Sequence, residues 1–170
     1  DALAHRKDYL KDAFERLVAV KEYNQGATYT TQYGYDGAGR QIKITDAQGN
    51  VRNFQYDGLN QRTFAEDIHA LNDTMFGTYQ YEYDPAGNST KVTDAEGRTI
   101  SYAYDKLNRR VSEDFGGTPL VDASYIFDAC ANGIGRICIT ANATSTTAYE
   151  YNALGTVAKE TKIIFRGGII

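Results

Sequence analysis

The feature that most constrains this sequence is an internal repeat of aromatic residues. A unit of aromatic, any residue, aromatic, then Asp or Asn occurs six times. When residues 35–62 are laid over residues 83–110, 14 of 28 positions are identical without a gap. The segment is therefore duplicated, and its repetition predicts a repeated structural unit. The six units are Tyr33-Gly34-Tyr35-Asp36, Phe54-Gln55-Tyr56-Asp57, Tyr81-Glu82-Tyr83-Asp84, Tyr102-Ala103-Tyr104-Asp105, Tyr125-Ile126-Phe127-Asp128 and Tyr149-Glu150-Tyr151-Asn152.

Residues typical of tight turns recur about every ten or eleven positions within the duplicated segments. Asp in the first place and Gly in the fourth is the preference of a type I turn, and Asn is the next residue to tolerate positive φ. The leading carboxylate can accept a backbone N–H two residues further on. We therefore predict structural turns with these first and fourth residues: Asp36 and Gly39, Asp46 and Gly49, Asp57 and Asn60, Asp84 and Gly87, Asp94 and Gly97, Asp105 and Asn108.

Between these turns, apolar and polar residues alternate with a period of two, which indicates short β-strands. The prediction is an all-β fold: an antiparallel meander of about ten short hairpin strands that forms a curved strip. If consecutive strands pair, the rings line up as cross-strand aromatic neighbours and fix the register. This predicted aromatic ladder contains Tyr33, Tyr35, Tyr56, Tyr81, Tyr83, Tyr102, Tyr104, Tyr125, Tyr149 and Tyr151.

Two segments break the repeat. From His5 to Tyr23, Leu10, Phe14, Leu17 and Val18 have helical spacing, and Gly26 can end a helix. We therefore predict one amphipathic helix within residues 1–26, packed on a β-strip of residues 27–165, with residues 166–170 as a tail. Residues 63–77 predict a longer loop or short helix, held to the sheet by these apolar side chains: Ile68, Leu71, Met75 and Phe76.

The repeated motifs resemble the YD repeats of RHS proteins. The resemblance rests on the Tyr-x-Tyr-Asp-x-x-Gly-Arg/Asn units, the Thr-Asp-Ala-x-Gly mark and the Tyr-Asp-x-Leu-Asn-x-Arg variant, and it covers roughly residues 31–162. Residues 127–138 also resemble a variant repeat of bacterial members. The resemblance implies a β-strip that spirals into a hollow shell around a toxic C-terminal domain, as in bacterial RHS and insecticidal toxin-complex proteins and, in related form, in animal teneurins. Six units would supply only part of such a wall.

The sequence contains no motif that predicts catalysis, a cofactor or a metal site. The two histidines, His5 and His69, fall in a predicted helix start and a loop, so we interpret both as incidental surface residues. Cys130 and Cys138 lack zinc-ligand spacing, and each turn offers one carboxylate, too few for calcium. Asp84-Pro85 sits in an ordinary repeat turn, so no self-cleavage residue is carried over from the family. We predict no enzyme activity.

The two cysteines leave two alternatives open. Cys130 and Cys138 flank a predicted turn containing Asn132-Gly133 and Gly135, so they can lie opposite each other across a hairpin and form a disulfide. Two free thiols packed as small apolar groups are nearly as plausible. Without knowledge of the redox compartment, the sequence does not decide between them.

The resemblance implies a non-enzymatic structural segment of an RHS-type shell that encloses or helps to deliver a toxin domain. The alternative is a cell-surface carbohydrate-binding or adhesion module that uses its Tyr rings. Expected partners are further YD-repeat segments or a toxin domain, possibly glycans, and other copies through open sheet edges near residues 29–35 and 159–165. A net charge of −4 disfavours nucleic acid, and no apolar run is long enough to span a membrane. The expected location is secreted or at the cell surface.

Overall fold

The computed structural model describes residues 6–116 and 121–165, and all regular secondary structure there is β-strand. The predicted all-β class is therefore confirmed, with fourteen strands instead of about ten. The strands are β1 (Arg6–Lys11), β2 (Leu17–Asn24), β3 (Ala27–Tyr35), β4 (Gln41–Thr45), β5 (Val51–Tyr56), β6 (Arg62–Glu66), β7 (Thr78–Tyr83), β8 (Ser89–Thr93), β9 (Thr99–Tyr104), β10 (Arg110–Asp114), β11 (Ala123–Phe127), β12 (Ile137–Asn142), β13 (Ser145–Tyr151) and β14 (Val157–Ile164).

The strand order follows the chain from β1 to β14, which confirms the predicted meander. Pairing is antiparallel throughout the described pairs, as in Tyr33 opposite Ile44 between β3 and β4. The register shifts at the aromatic residue that ends several odd-numbered strands, including Tyr35, Tyr56 and Phe127. Such a bulge accommodates the extra turn residue and increases local twist. Among the described residues, none belongs to a helix that could cross a bilayer.

The chain forms two compact units. The first contains residues 6–81 together with the turn 94–97, and the second contains residues 82–93, 98–116 and 121–165. In the first unit the buried apolar side chains are Ala19, Val51, Phe54 and Ala65; in the second, Cys138 and Thr147 are buried. Most other strand side chains are half-buried. Hydrogen bonds at strands and turns must therefore hold each unit alongside a small apolar core.

The predicted N-terminal helix is wrong. Its described residues form the β1–β2 hairpin, in which Tyr9 pairs with Val20. The turn between the strands begins at Asp12, whose N–H donates to the carbonyl of Arg16 at 2.9 Å. Phe14, assigned by its spacing to the buried helix face, lies at the turn and is 79% exposed. The Asp12–Arg16 ion pair expected on the helix does exist, but as part of this turn.

The segment 63–77 contains no helix. Residues 62–66 form β6, and the rest is a loop that is fastened to β5 by a backbone pair: Val51 N–H donates to His69 O at 2.7 Å, and His69 N–H donates to Val51 O at 2.9 Å. Phe76 stacks on the His69 ring. Leu71 and Met75 do not hold the loop to the sheet, since they are 76% and 92% exposed. The predicted loop is present, but only part of its apolar set packs.

One of the two predicted open edges is correct. Within the described chain β14 pairs only with β13, and every residue of β14 is exposed. The segment 29–35 lies in β3, which pairs with β2 on one side and β4 on the other. The outer strand at that end is β1, because the residues expected to form a helix add two strands. The predicted tail, residues 166–170, lies outside the described residues.

Candidate functional site

The Asp that opens each predicted turn holds that turn with its own carboxylate. In the turn 36–40, Oδ1 of Asp36 accepts the backbone N–H groups of Ala38 and Arg40, each at 2.9 Å. The N–H of Gly39 donates to the carbonyl of Asp36 at 3.0 Å, and Gly39 has φ of +82°. A side chain at that position would strain the backbone, which explains why Gly or Asn occupies it.

The same arrangement recurs at all six predicted turns. In each, Oδ1 of the first residue accepts the N–H two residues further on, and the fourth residue has φ between +59° and +89°. Two turns that the sequence did not predict, 12–16 and 152–156, have the same hydrogen bond. The backbone N–H of Arg109 lowers the pKa of Asp105, and the side-chain amide of Asn88 lowers the pKa of Asp84. These carboxylates are therefore committed to their turns.

A tyrosine before four of these turns fastens its strand to the strand on the far side of a neighbour. The hydroxyl donates to the backbone carbonyl of a residue that begins an even-numbered strand, at 2.7–3.0 Å. The pairs are Tyr35 with Leu17, Tyr56 with Gln41, Tyr104 with Ser89 and Tyr151 with Ile137. All four rings are half-buried. Each such tyrosine therefore contributes both ring packing and one hydrogen bond between strands.

The remaining tyrosines of the predicted ladder are also half-buried, but they do not pair with one another as expected. Tyr33 lies opposite Ile44, Tyr102 opposite Glu113, and Tyr149 opposite Glu160. The aromatic units occupy odd-numbered strands, and an even-numbered strand separates them. The Tyr125 hydroxyl instead donates to Glu113 Oε1 at 3.0 Å. Arginine ions cover other rings, with Arg62 over Tyr81 and Arg110 over Tyr102; Tyr83 precedes Asp84 at the end of β7.

The fifth residue of a turn links that turn to the next one at the same edge of its unit. We call the turns that follow odd-numbered strands odd turns; in an antiparallel meander they share one edge. In the first unit, Arg40 Nε donates to Asp36 at 2.6 Å, while its Nη1 donates to the carbonyl of Asp57 at 2.6 Å. Its guanidinium also lies over the Tyr56 ring, 5.3 Å from the centroid. Arg16 makes a similar link from the turn 12–16 to Asp36 and Tyr35.

In the second unit the same ladder of links runs between four odd turns. Asn88 Nδ2 donates to Asn108 Oδ1 at 2.9 Å. Arg109 pairs with Asp105 in its own turn and donates to both carboxylate oxygens of Asp128, at 3.1 and 2.6 Å. The Arg109 side chain lowers the pKa of Asp128. The sequence analysis missed these links, although the Arg or Asn that follows each turn Gly was a usable signal.

The turn 128–136 is longer than the others and contains the two cysteines. Their Sγ atoms are bonded to each other, and Cys138 is almost fully buried. A Cβ on Gly133 would lie 2.6 Å from Cys138 Sγ, so only glycine fits beside the disulfide. Asn132 Nδ2 donates to the carbonyl of Tyr151 at 3.0 Å, and Arg136 Nε donates to the carbonyl of Gly155. The disulfide therefore closes the turn that connects the turns 105–109 and 152–156.

His69 is not the surface histidine that the sequence predicted. Its side chain is 8% exposed, with Nδ1 2.9 Å from Ala70 O and Nε2 3.2 Å from Glu66 Oε2. Glu66 also accepts the backbone and side-chain N–H groups of Asn53 at 2.9 and 2.6 Å. The hydrogen bond to the Ala70 carbonyl, together with Glu66, raises the pKa of His69. Because both ring nitrogens face acceptors, the site favours the imidazolium. His5 lies outside the described residues.

The polar groups of the repeat are directed at other parts of the sheet. The turn carboxylates hold backbone N–H groups, four tyrosine hydroxyls hold carbonyls, and the turn arginines join one turn to the next. A group of three or more His, Cys, Asp or Glu side chains fit to bind a metal is not found in the described part of the chain. What the arrangement does chemically is to satisfy the hydrogen bonds of its own edges.

Known proteins with this fold are components of toxin complexes. The crystal structure of TcdB2-TccC3 has a TM-score of 0.69 and 16% identity, and the match covers 86% of this chain and 9% of that chain. The crystal structure of TcdB2-TccC3-Cdc42 gives 0.67 and 17%, covering 86% and 8%. A Photorhabdus luminescens Tc holotoxin pore with a mutation in TccC3 gives 0.58 and 15%, covering 95% and 8%.

At these identities the likeness is one of fold, and this chain spans less than a tenth of the length of each of those chains. None of the curated proteins compared with the sequence matches it. The family model for the RHS Repeat matches residues 12–51, 35–63, 73–99 and 83–118, which together make up more than half of the chain. These matches include five of the six predicted turns in full and the Asp that opens the turn 12–16. The chain belongs to the RHS-repeat family.

Proposed function

We propose that this chain is a non-enzymatic structural segment of an RHS-type shell that encloses or helps to deliver a toxin domain. The observation that carries the proposal is the ladder of links between odd turns. Arg40 and Arg109 each join two turns and also cover an aromatic ring of the next odd-numbered strand. Such links repeat with the strands, so they suit a wall that is extended by adding further hairpins.

The tyrosines support a structural role over a recognition role. A hydroxyl that recognises a ligand must be free to exchange its hydrogen bond, whereas the hydroxyls of Tyr35, Tyr56, Tyr104 and Tyr151 already donate to backbone carbonyls. Their recurrence at equivalent places indicates a role in each repeat rather than in one grafted site.

The size of the matched structures supports the role of a part within a larger assembly. This chain corresponds to 8–9% of the length of the chains in the TcdB2-TccC3 structures. The partners we propose are therefore further YD-repeat segments, which would continue the sheet beside β14, and a toxin domain within the shell. An assembly with this role acts outside the cell that produces it, so the proposed location is secreted or at the cell surface.

The test is protease protection in the full-length protein that carries this segment. We expect its C-terminal domain to resist protease under native conditions and to become sensitive once the ladder is broken by Arg40→Ala with Arg109→Ala. The matched control is Lys106→Ala, which removes an exposed cation from a turn without touching the ladder. A C-terminal domain that is cleaved equally fast in the native protein and in the double variant would contradict enclosure.

A second candidate function, carbohydrate binding, rests on one depression in the second unit. It has a volume of about 370 Å³ and is lined by Arg109, Arg110, Glu113, Tyr125, Phe127 and Ile137. Aromatic faces beside a carboxylate and a guanidinium suit a sugar ring and its hydroxyls. A glycan array with the wild-type chain and Glu113→Gln tests it. Binding that is lost in Glu113→Gln would support this function, and a failure to bind any sugar would exclude it.

A further inference from the structure

Three odd turns of the second unit present an exposed aliphatic side chain at the same position. Leu107, Ile134 and Leu154 each directly precede the residue with positive φ. Their exposed fractions are 69%, 84% and 89%, among the highest of the large apolar residues in the described chain. We call these three side chains the apolar tips. Single exposed apolar residues are ordinary on protein surfaces, but a repeated row is not.

The turn itself does not require an apolar residue at this position. The tight turns at the opposite edge of the sheet have Gln48 and Glu96 there, with the same Asp-to-N–H hydrogen bond. The turn 36–40 uses Ala38. The first unit repeats the feature, since Phe14 and Leu59 occupy the corresponding place in odd turns and are 79% and 72% exposed. The apolar tips therefore need an explanation outside their own turns.

The spacing of the apolar tips identifies the kind of surface that fits them. Successive odd turns are two strands apart, so the tips recur about every 9.6 Å. A surface that meets all three must have the same period, which is the period of an odd-turn edge. Ile134 is the middle member of the row, because β11 and β12 lie between β9–β10 and β13–β14. A two-fold axis at Ile134 therefore brings Leu107 of one copy to Leu154 of the other.

We propose that the apolar tips form a docking surface for a second copy of this chain, arranged antiparallel about a two-fold axis at Ile134. Charge favours this arrangement over a parallel one. Lys106 is the charged residue adjacent to an apolar tip in the turn 105–109, and a parallel arrangement would place Lys106 against its own copy. The antiparallel arrangement places it against the turn 152–156, whose residues are uncharged. Arg109 and Asp128 already pair within the chain.

The expected complex is weak. Three side chains from each copy bury much less than the roughly 1,200 Å² of a stable specific interface, so the dimer should exchange rapidly and form only at high protein concentration. The open strand β14 provides a second route to association, by strand pairing. The test must therefore separate turn-mediated from strand-mediated contact.

The first experiment is sedimentation velocity of the 170-residue chain over a concentration series up to about 500 μM. We expect a reversible dimer whose dissociation constant rises at least about tenfold in the variant Leu107→Ser with Leu154→Ser. The matched control is Leu71→Ser with Met75→Ser, which removes two equally exposed apolar side chains from the loop 67–77. Far-UV circular dichroism shows that each variant is folded. A monomer at all concentrations, or a double variant that dimerises like the wild type, would overturn the proposal.

The second experiment fixes the arrangement by chemical crosslinking with a short thiol-reactive bridge. Leu107→Cys and Leu154→Cys are prepared separately, with Cys130 and Cys138 left as their disulfide. The proposal predicts a crosslinked dimer when the two variants are mixed and little when either is treated alone. Equal crosslinking of each variant with itself would show a parallel contact and overturn the proposed axis. A dimer that forms without any crosslink would place the contact at another surface, such as β14, and also overturn it.

Discussion

Removal of the Tyr104 hydroxyl tests how much each tyrosine link contributes to stability. Tyr104→Phe keeps the ring and deletes the 3.0 Å hydrogen bond to the Ser89 carbonyl, which joins β9 to the start of β8. A neutral intramolecular hydrogen bond contributes about 0.5–1.5 kcal/mol. The ring is half-buried, and the freed carbonyl keeps some access to water, so we expect a loss of about 1 kcal/mol. For a chain of this length that lowers Tm by about 2–4 °C.

Urea unfolding followed by far-UV circular dichroism measures this loss, with Tyr9→Phe as the control. The Tyr9 side chain is 65% exposed, and the control should stay within about 0.5 kcal/mol of wild type. Tyr104 and Tyr151 lie on strands four apart, roughly 19 Å, so their effects should add to about 2 kcal/mol in the double variant. Tyr104→Phe and Tyr151→Phe values no larger than that of Tyr9→Phe would refute the claim that these hydroxyls hold strands together.

Three further predictions concern titration and the disulfide. The pKa of His69 is raised, so its two hydrogen bonds should be fully present below about pH 6.5 and lost as the pH rises through the raised pKa; an NMR titration that gives a pKa of 6.5 or lower would contradict this. The pKa of Asp105 is lowered, so its contribution should be present above about pH 3.9 and lost as the pH falls through the folded-state pKa. Asp105→Asn should therefore lower Tm at pH 7, and its difference from wild type should shrink in acid; a difference that is unchanged at pH 2 would be the opposite result. Replacing Cys130 and Cys138 by Ser opens a loop of nine residues and should cost about 2–3 kcal/mol in urea unfolding, whereas wild-type stability in that variant would show that the bond contributes nothing.

The turns were predictable from sequence because their chemistry is local. Asp36 accepts N–H groups from residues two and four positions on, and Gly39 supplies the positive φ between them. All partners lie within five consecutive residues, so composition and spacing contain the whole argument. The short strands followed from the distance between turns, for the same reason.

The N-terminal hairpin could not be recognised in this way. Leu10, Phe14 and Leu17 match a helical period, and Glu15 occupies the positive-φ position where the predicted turns have Gly or Asn. The turn forms there because Arg16 binds both Asp12 and the next odd turn. That second contact joins residues 20 apart in sequence, so a local pattern does not contain it.

The links of the candidate site escaped prediction because they depend on which strands are neighbours. Arg109 meets Asp128 across 19 residues, and Tyr104 meets Ser89 across 15. The burial of His69 depends on the pairing of its backbone with Val51. Once the strand order is known, the repeated Arg or Asn after the turn Gly becomes interpretable, since odd turns then share one edge.

The most direct test of the account is a cryo-electron microscopy map of the full-length protein that carries this segment. The account predicts a hollow particle in which residues 6–165 lie in the wall as successive antiparallel strands, with density for the Arg109–Asp128 link between odd turns. A map in which this segment forms a separate domain outside the particle, or in which the particle has no internal cavity, would contradict the proposed role.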